Sequence, residues 1–297
     1  MKEDEEKIEV NKEAVDVAEE TAEEATEGTS EGVTEEATEE TTLGKKKGGK
    51  KIPKKKIILY VAGGVVLAFV IAALIFALGY YKADETAMAA LESDGEVAVS
   101  KTDYGYYFDG PENDEALIFY PGAKVDERAY APMLRELANA GIDVCLIKTP
   151  FHLAVLRPNA ADDVMAQYDY DTWYVGGHSM GGAIASMYAE KHASSVDAVI
   201  MLAAYPTGQM PDNQIDIVIY GENDGVLELD KVEEGRDLVS GPYYENMIIG
   251  GNHANFGYYG NQLRDGKADI SAKIQQDETV RYILDALENE RGKENGN

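Results

Sequence analysis

Thr172-Trp173-Tyr174-Val175-Gly176-Gly177-His178-Ser179-Met180-Gly181-Gly182-Ala183 is the stretch on which the fold turns. A β-rich apolar run enters it and an Ala-rich helical pattern leaves it, so Ser179 falls on a strand-to-helix turn of the form Gly-x-Ser-x-Gly. A serine there takes a strained backbone conformation, and only residues without bulky side chains at 177 and 181 let strand and helix approach. With 29 Gly in 297 residues the bare pattern weighs little. Its strand, turn and helix setting carries the weight, and an ordinary Gly-rich turn would not need that setting.

Outward from this turn, short β-rich runs alternate with helical patterns. Strands are expected over 96–100 and 104–108, as an opening hairpin, then over 116–120, 142–148, 172–175, 196–203, 215–220 and 246–249. Helices are expected over 128–140, from 159–163 onward, and over 181–191, 230–239 and 277–287. The alternation implies an α/β fold with a mostly parallel sheet flanked by helices. Only about ten residues, 205–214, connect two of the strands, too few for a lid helix.

A serine hydroxyl is a weak nucleophile and needs a base, for which His is the suited side chain. There are four His. His178 lies inside the turn and reads as a packing or hydrogen-bonding residue, His192 ends a helix as a solvated side chain, and His152 follows a strand and could line a pocket. His253 follows the strand at 246–249 through Gly250-Gly251-Asn252. Acids near the end of strand 215–220 are Asp216, Glu222 and Asp224.

These motifs resemble the α/β-hydrolase superfamily, in particular its small, lidless dienelactone-hydrolase-like and carboxylesterase-like branch, over about residues 95–290. The resemblance implies the chain order Ser, acid, His, each on a loop at the carboxyl end of a strand. It assigns Ser179 as nucleophile, Asp224 as the acid and His253 as the base. Asp216 lies inside its strand, and Glu222 falls before the usual loop position. An oxyanion needs two preorganised donors. Met180 N–H would be the first, and the loop Tyr120-Pro121-Gly122-Ala123 would supply the second from Ala123. Relatives often carry His-Gly-x there; Pro121 removes that side chain and leaves the amide.

The rest of the chain is read by segment. Residues 1–44 carry 17 Asp and Glu against three Lys and no aromatic residue, the composition of a disordered acidic tail. Eight Lys and no acid occupy 45–56, a juxtamembrane segment. Residues 57–79 are 23 residues without a charge, long enough as a helix to span roughly 34 Å against a hydrocarbon core of about 30 Å. A transmembrane helix is therefore expected, with the lysines and the tail cytoplasmic and the catalytic domain outside. Ala87-Met88-Ala89 has a signal-peptidase form, but the apolar run is too long and the small residues lie too far downstream. Residues 80–94 read as a connector and 95–297 as the hydrolase domain.

The domain remains strongly acidic once the tail and lysines are set aside, which argues against nucleic acid as a partner. Cys145, the one cysteine, sits in an apolar stretch and reads as a small buried hydrophobe. Four dispersed His and this Cys lack metal-ligand spacing, and no phosphate loop appears, so hydrolysis without a cofactor is the simplest expectation. The expected partners are the lipid bilayer, through 57–79, and a small-molecule or envelope-derived acyl substrate; the pattern is silent on oligomeric state. The leading expectation is a membrane-anchored serine hydrolase for a carboxylic ester, thioester or lactone. A peptidase or envelope amide hydrolase using the same residues, or a binding module on a hydrolase scaffold, is the alternative.

Overall fold

Eight strands form one sheet: β1 (Ala98–Lys101), β2 (Gly105–Asp109), β3 (Glu115–Tyr120), β4 (Asp143–Ile147), β5 (Thr172–His178), β6 (Ala198–Leu202), β7 (Ile215–Gly221) and β8 (Tyr243–Ile248). Their order is β1-β2-β4-β3-β5-β6-β7-β8, antiparallel at β1/β2 and β2/β4 and parallel elsewhere. The computed structural model describes residues 67–68, 78–111 and 114–295. The expected acidic tail, the lysine segment and most of the expected span fall outside them. Among the described residues no helix is long and apolar enough to cross a membrane. Two units divide the chain, Met1–Ala72 and Ala73–Asn297; the sheet belongs to the second.

Strand side chains alternate between two cores, as period-2 geometry requires. Leu117, Phe119, Val144 and Leu146 face one core with α2 (Ala131–Asn139) and α6 (Ala272–Asn295). Ala116, Ile118, Cys145 and Ile147 face the other, with α3 (Ala160–Met165), α4 (Met180–Lys191) and α5 (Leu229–Arg236). Cys145 is fully buried, and burial pushes its thiol up to about 12.

Most expected elements are present with shifted ends, and the shifts have causes. The helix read over 128–140 begins as a 3-10 turn, Glu127–Tyr130, before α2, where Pro132 supplies no amide. Strand β8 starts at Tyr243 instead of 246, because Glu245 on this edge accepts from Arg236, Tyr220 and Tyr243 and masks any apolar alternation. Helix α6 starts well before 277, since its first turns are held by polar side chains that a hydrophobic period does not register. The connection between β6 and β7 holds no helix. The stretch 80–94 is not a free connector: it forms α1 (Glu85–Ala89), with Ala87 buried inside the domain.

Asp216 is the second residue of β7, paired with Val199 and Tyr243, and neither carboxyl oxygen has a hydrogen-bond partner among the described residues. Burial alone pushes this carboxyl up to about 7 from 3.8. Between those values the folded chain holds a proton that the unfolded chain has released, so stability falls as pH rises from about 4 to about 7 and then levels. Asp216→Asn removes the titrating group at nearly constant volume. We expect the variant to match the parent near pH 4 and to exceed it in Tm near pH 8, as thermal unfolding at both pH values would show.

Candidate active site

Strand β5 delivers the chain directly into Ser179, whose φ of 52° and ψ of −124° lie in a region that non-glycine residues rarely occupy. The Ser179 N–H donates to Leu202 O at 2.8 Å, and α4 starts at Met180. The turn fits only because its flanks are bare. A Cβ at Gly177 would stand 2.6 Å from Tyr120 O, and one at Gly181 would stand 2.6 Å from Pro121 O. The loop after β3, which runs on to Ala123, is thus packed against the elbow, where α4 opens at Met180 N–H. That amide is one of those a helix cannot pair internally.

Asp224 and His253 come from the loops after β7 and β8, 29 residues apart in sequence, and meet side chain to side chain. His253 Nδ1 lies 2.9 Å from Asp224 Oδ2 and 3.1 Å from Oδ1. The Asp224 Oδ1 also accepts the Val226 and Leu227 amides at 2.9 and 2.8 Å. Both side chains are removed from solvent, at 1% and 0% exposure. An ionised carboxylate only accepts, so Nδ1 carries the proton and Nε2 is left as the basic nitrogen. Nε2 is buried and has no hydrogen-bond partner among the described residues, Ser179 Oγ included. The two competing acids lie elsewhere: Asp216 is inside β7, and Glu222 accepts the Gly250 amide at 2.9 Å.

His253 is set against the elbow by a ring contact. Its imidazole lies 4.5 Å, centroid to centroid, from that of His178, the neighbour of Ser179. His178 is itself held through Nδ1, 2.9 Å from Tyr130 Oη, while that hydroxyl accepts the Gly122 amide at 3.1 Å. Burial first, and then the His253 imidazole, hold His178 far below the usual imidazole range, so it stays neutral. One tyrosine therefore joins the loop 121–123 to the elbow and occupies Gly122 N–H. Ala123 supplies the next amide along.

Two features of the site carry no motif. Asp265 accepts the amides of His253 at 3.1 Å, Ala254 at 2.8 Å and Gly225 at 3.2 Å, so one carboxylate ties the loop of Asp224 to that of His253. Gln275, on the first turns of α6, accepts from Asn252 N at 2.9 Å and donates to Asn252 O at 2.7 Å. Neither is signalled locally in sequence, nor is Tyr130, which the helical pattern over 128–140 marks only as an apolar position. Of the remaining histidines, His192 stacks on Tyr188 at 3.9 Å, far along α4 from the elbow, and His152 stacks on Tyr80 at 4.0 Å.

The profile of a family described as the alpha/beta hydrolase family matches residues 116–277, more than half of the chain and an interval that contains Ala123, Ser179, Met180, Asp224 and His253. No curated protein matches. Among solved structures, a membrane phospholipase A described as a bacterial virulence factor is similar with a TM-score of 0.50 at 12% identity, covering 80% of this chain and 97% of that one. A dienelactone hydrolase from Anabaena variabilis aligns at 0.49 and 12% identity, over 64% of this chain and 98% of its own. A CIB-like hydrolase from Thermoplasma acidophilum aligns at 0.49 and 15%, over 65% and 99%. At 12% identity the likeness to the phospholipase is one of fold.

Proposed function

This chain belongs to the alpha/beta hydrolase family, and we propose that it is a membrane-anchored serine hydrolase that cleaves a carboxylic ester, thioester or lactone through an acyl-Ser179 intermediate. The observation that supports the reading is the buried His253, clamped by Asp224 on one nitrogen and resting on the ring of His178, the neighbour of Ser179, with its other nitrogen unpaired among the described residues. Ser179 Oγ attacks the acyl carbon as His253 Nε2 takes its proton, and Asp224 stabilises the imidazolium. The amides of Met180 and Ala123 hold the oxyanion. Collapse of the tetrahedral species breaks the bond to the leaving oxygen or sulfur, which takes the proton from Nε2. Water then adds to the acyl carbon by the same proton route and frees Ser179.

Residues 57–79 anchor the domain, with the N-terminus cytoplasmic and the site outside, in keeping with the eight lysines that precede the apolar run. The short connection between β6 and β7 leaves the site without a lid from that loop. A fluorophosphonate probe is expected to label the folded chain at Ser179, with mass spectrometry locating the adduct. Failure to label, or equal labelling of Ser179→Ala, rejects the reading in favour of a binding module on this scaffold.

A further inference from the structure

The segment that directly follows the apolar run is built into the same end of the sheet as Ser179. Tyr81 bridges Val125 in parallel register, donating to Lys124 O at 2.7 Å and accepting from Asp126 N at 2.9 Å. These bonds fall on residues 124 and 126, within three residues after Ala123. Lys124 N–H donates in turn to His152 O at 2.7 Å, and the His152 ring stacks on Tyr80. On the other side Tyr81 Oη accepts the Leu263 amide at 3.1 Å, its ring lies 5.6 Å from that of Tyr259, and Asp84 N–H donates to Tyr258 O at 2.9 Å. Residues 80–84 therefore touch the loops after β3, β4 and β8, which bear Ala123, His152 and His253.

Three large apolar side chains stand exposed around this junction: Leu78 at 72%, Phe151 at 59% and Leu263 at 69%. Each is within two residues of a contact to Tyr80 or Tyr81. Phe151 and His152 have φ of 53° and 58°, and Lys124 has 60°, three non-glycine residues in left-handed conformation on one rim. Such strain persists only where the surroundings impose it and gathers at functional surfaces. The strained turn leaves Phe151 uncovered by the domain.

We propose that this rim is a lipid-docking surface: Leu78, Phe151 and Leu263 insert into the boundary between head groups and acyl chains, and the site takes an amphiphilic ester that lies in the same leaflet. The proposal rests on the membrane-anchored reading given above. The bilayer is the occupant, not a second protein, because the apolar run ends at Gly79, one residue before Tyr80. A chain extends at most about 3.6 Å per residue, so the rim stays at the interface unless Tyr80 and Tyr81 leave their loops. Tyrosines at that position suit the interface, where an apolar ring meets a wet hydroxyl. The domain is acidic overall, so the attraction is apolar, not electrostatic.

The test uses the full chain in phosphatidylcholine vesicles, with a small fluorophore on Phe151→Cys, on Leu263→Cys or, as a control, on Asp171→Cys, which is exposed just before β5 at the opposite end of the parallel strands. Cys145 is buried and stays unlabelled. Lipids brominated on their acyl chains are expected to quench labels at 151 and 263 by about half and to leave 171 unchanged. Leu263→Asp is expected to lower the ratio of vesicle-borne long-chain ester turnover to soluble short-chain ester turnover about tenfold, the loss for one leucine-sized insertion. Quenching that is equal at all three positions, or absent from 151 and 263 in a chain that resists an alkaline wash, overturns the docking surface. Release by the wash overturns the anchor and this proposal together. Absence of fluorophosphonate labelling at Ser179 in the same vesicles overturns the hydrolase reading and the substrate, while quenching still reports the surface.

Discussion

His253→Ala is expected to lower kcat/KM on an activated ester by about ten-thousandfold, and Asp224→Asn by a comparable factor. The first variant removes the group proposed above as the base for Ser179. The second keeps the shape of the carboxylate but offers an amide N–H, which turns the imidazole to the tautomer whose Nδ1 accepts. Nε2 then carries the hydrogen and cannot act as base. Because the two side chains act as one unit through the 2.9 Å contact, the double variant should lose little more than the worse single one. Steady-state kinetics of the four proteins check this. Additive losses, or a loss below about tenfold for His253→Ala, would mean that this pair does not serve Ser179. Thermal unfolding of each variant separates chemistry from damage, since Asp224 retains the Val226 and Leu227 amides when His253 is gone.

Gly181→Val should fail for a different reason. Its new Cβ would overlap Tyr120 O and stand 2.6 Å from Pro121 O, both backbone atoms of the loop that leads to Ala123. Neither can move without displacing β3, a central strand paired on both sides. A destabilisation of about 4 kcal/mol or more is expected, enough to unfold many domains of ordinary stability. Gly95→Ala, where an added Cβ meets nothing within 4 Å, should change stability by about 0.5 kcal/mol at most. Circular dichroism melts of the two variants make the comparison, and a folded, fully stable Gly181→Val would show that the elbow is looser than its packing implies.

The elbow itself is local: Gly177, Ser179 and Gly181 are close in sequence, and the steric demand of the turn can be read from their side chains. The same holds for the parallel strands, whose alternating apolar positions fill two cores, and for the positions of Asp224 and His253 just beyond strand ends. Each can be read from short stretches of sequence, so the residue pattern determined the fold class and the candidate nucleophile, while the choice of Asp224 among nearby acids and of Ala123 came from the resemblance.

What tertiary structure decided joins residues with no shared pattern. The insertion of β2 beside β4 is a matter of strand order, which apolar alternation does not encode. Asp265 binds loops 40 and 12 residues away through backbone amides, and Tyr130 reaches His178 across 48 residues. Tyr81 pairs with Val125, turning an apparent connector into a brace for the loop after β3. Each depends on polar groups brought together only after the apolar cores have closed. Short-range periodicity and sterics could therefore point to candidates for the site, while the groups that hold them in place became visible only in the folded chain.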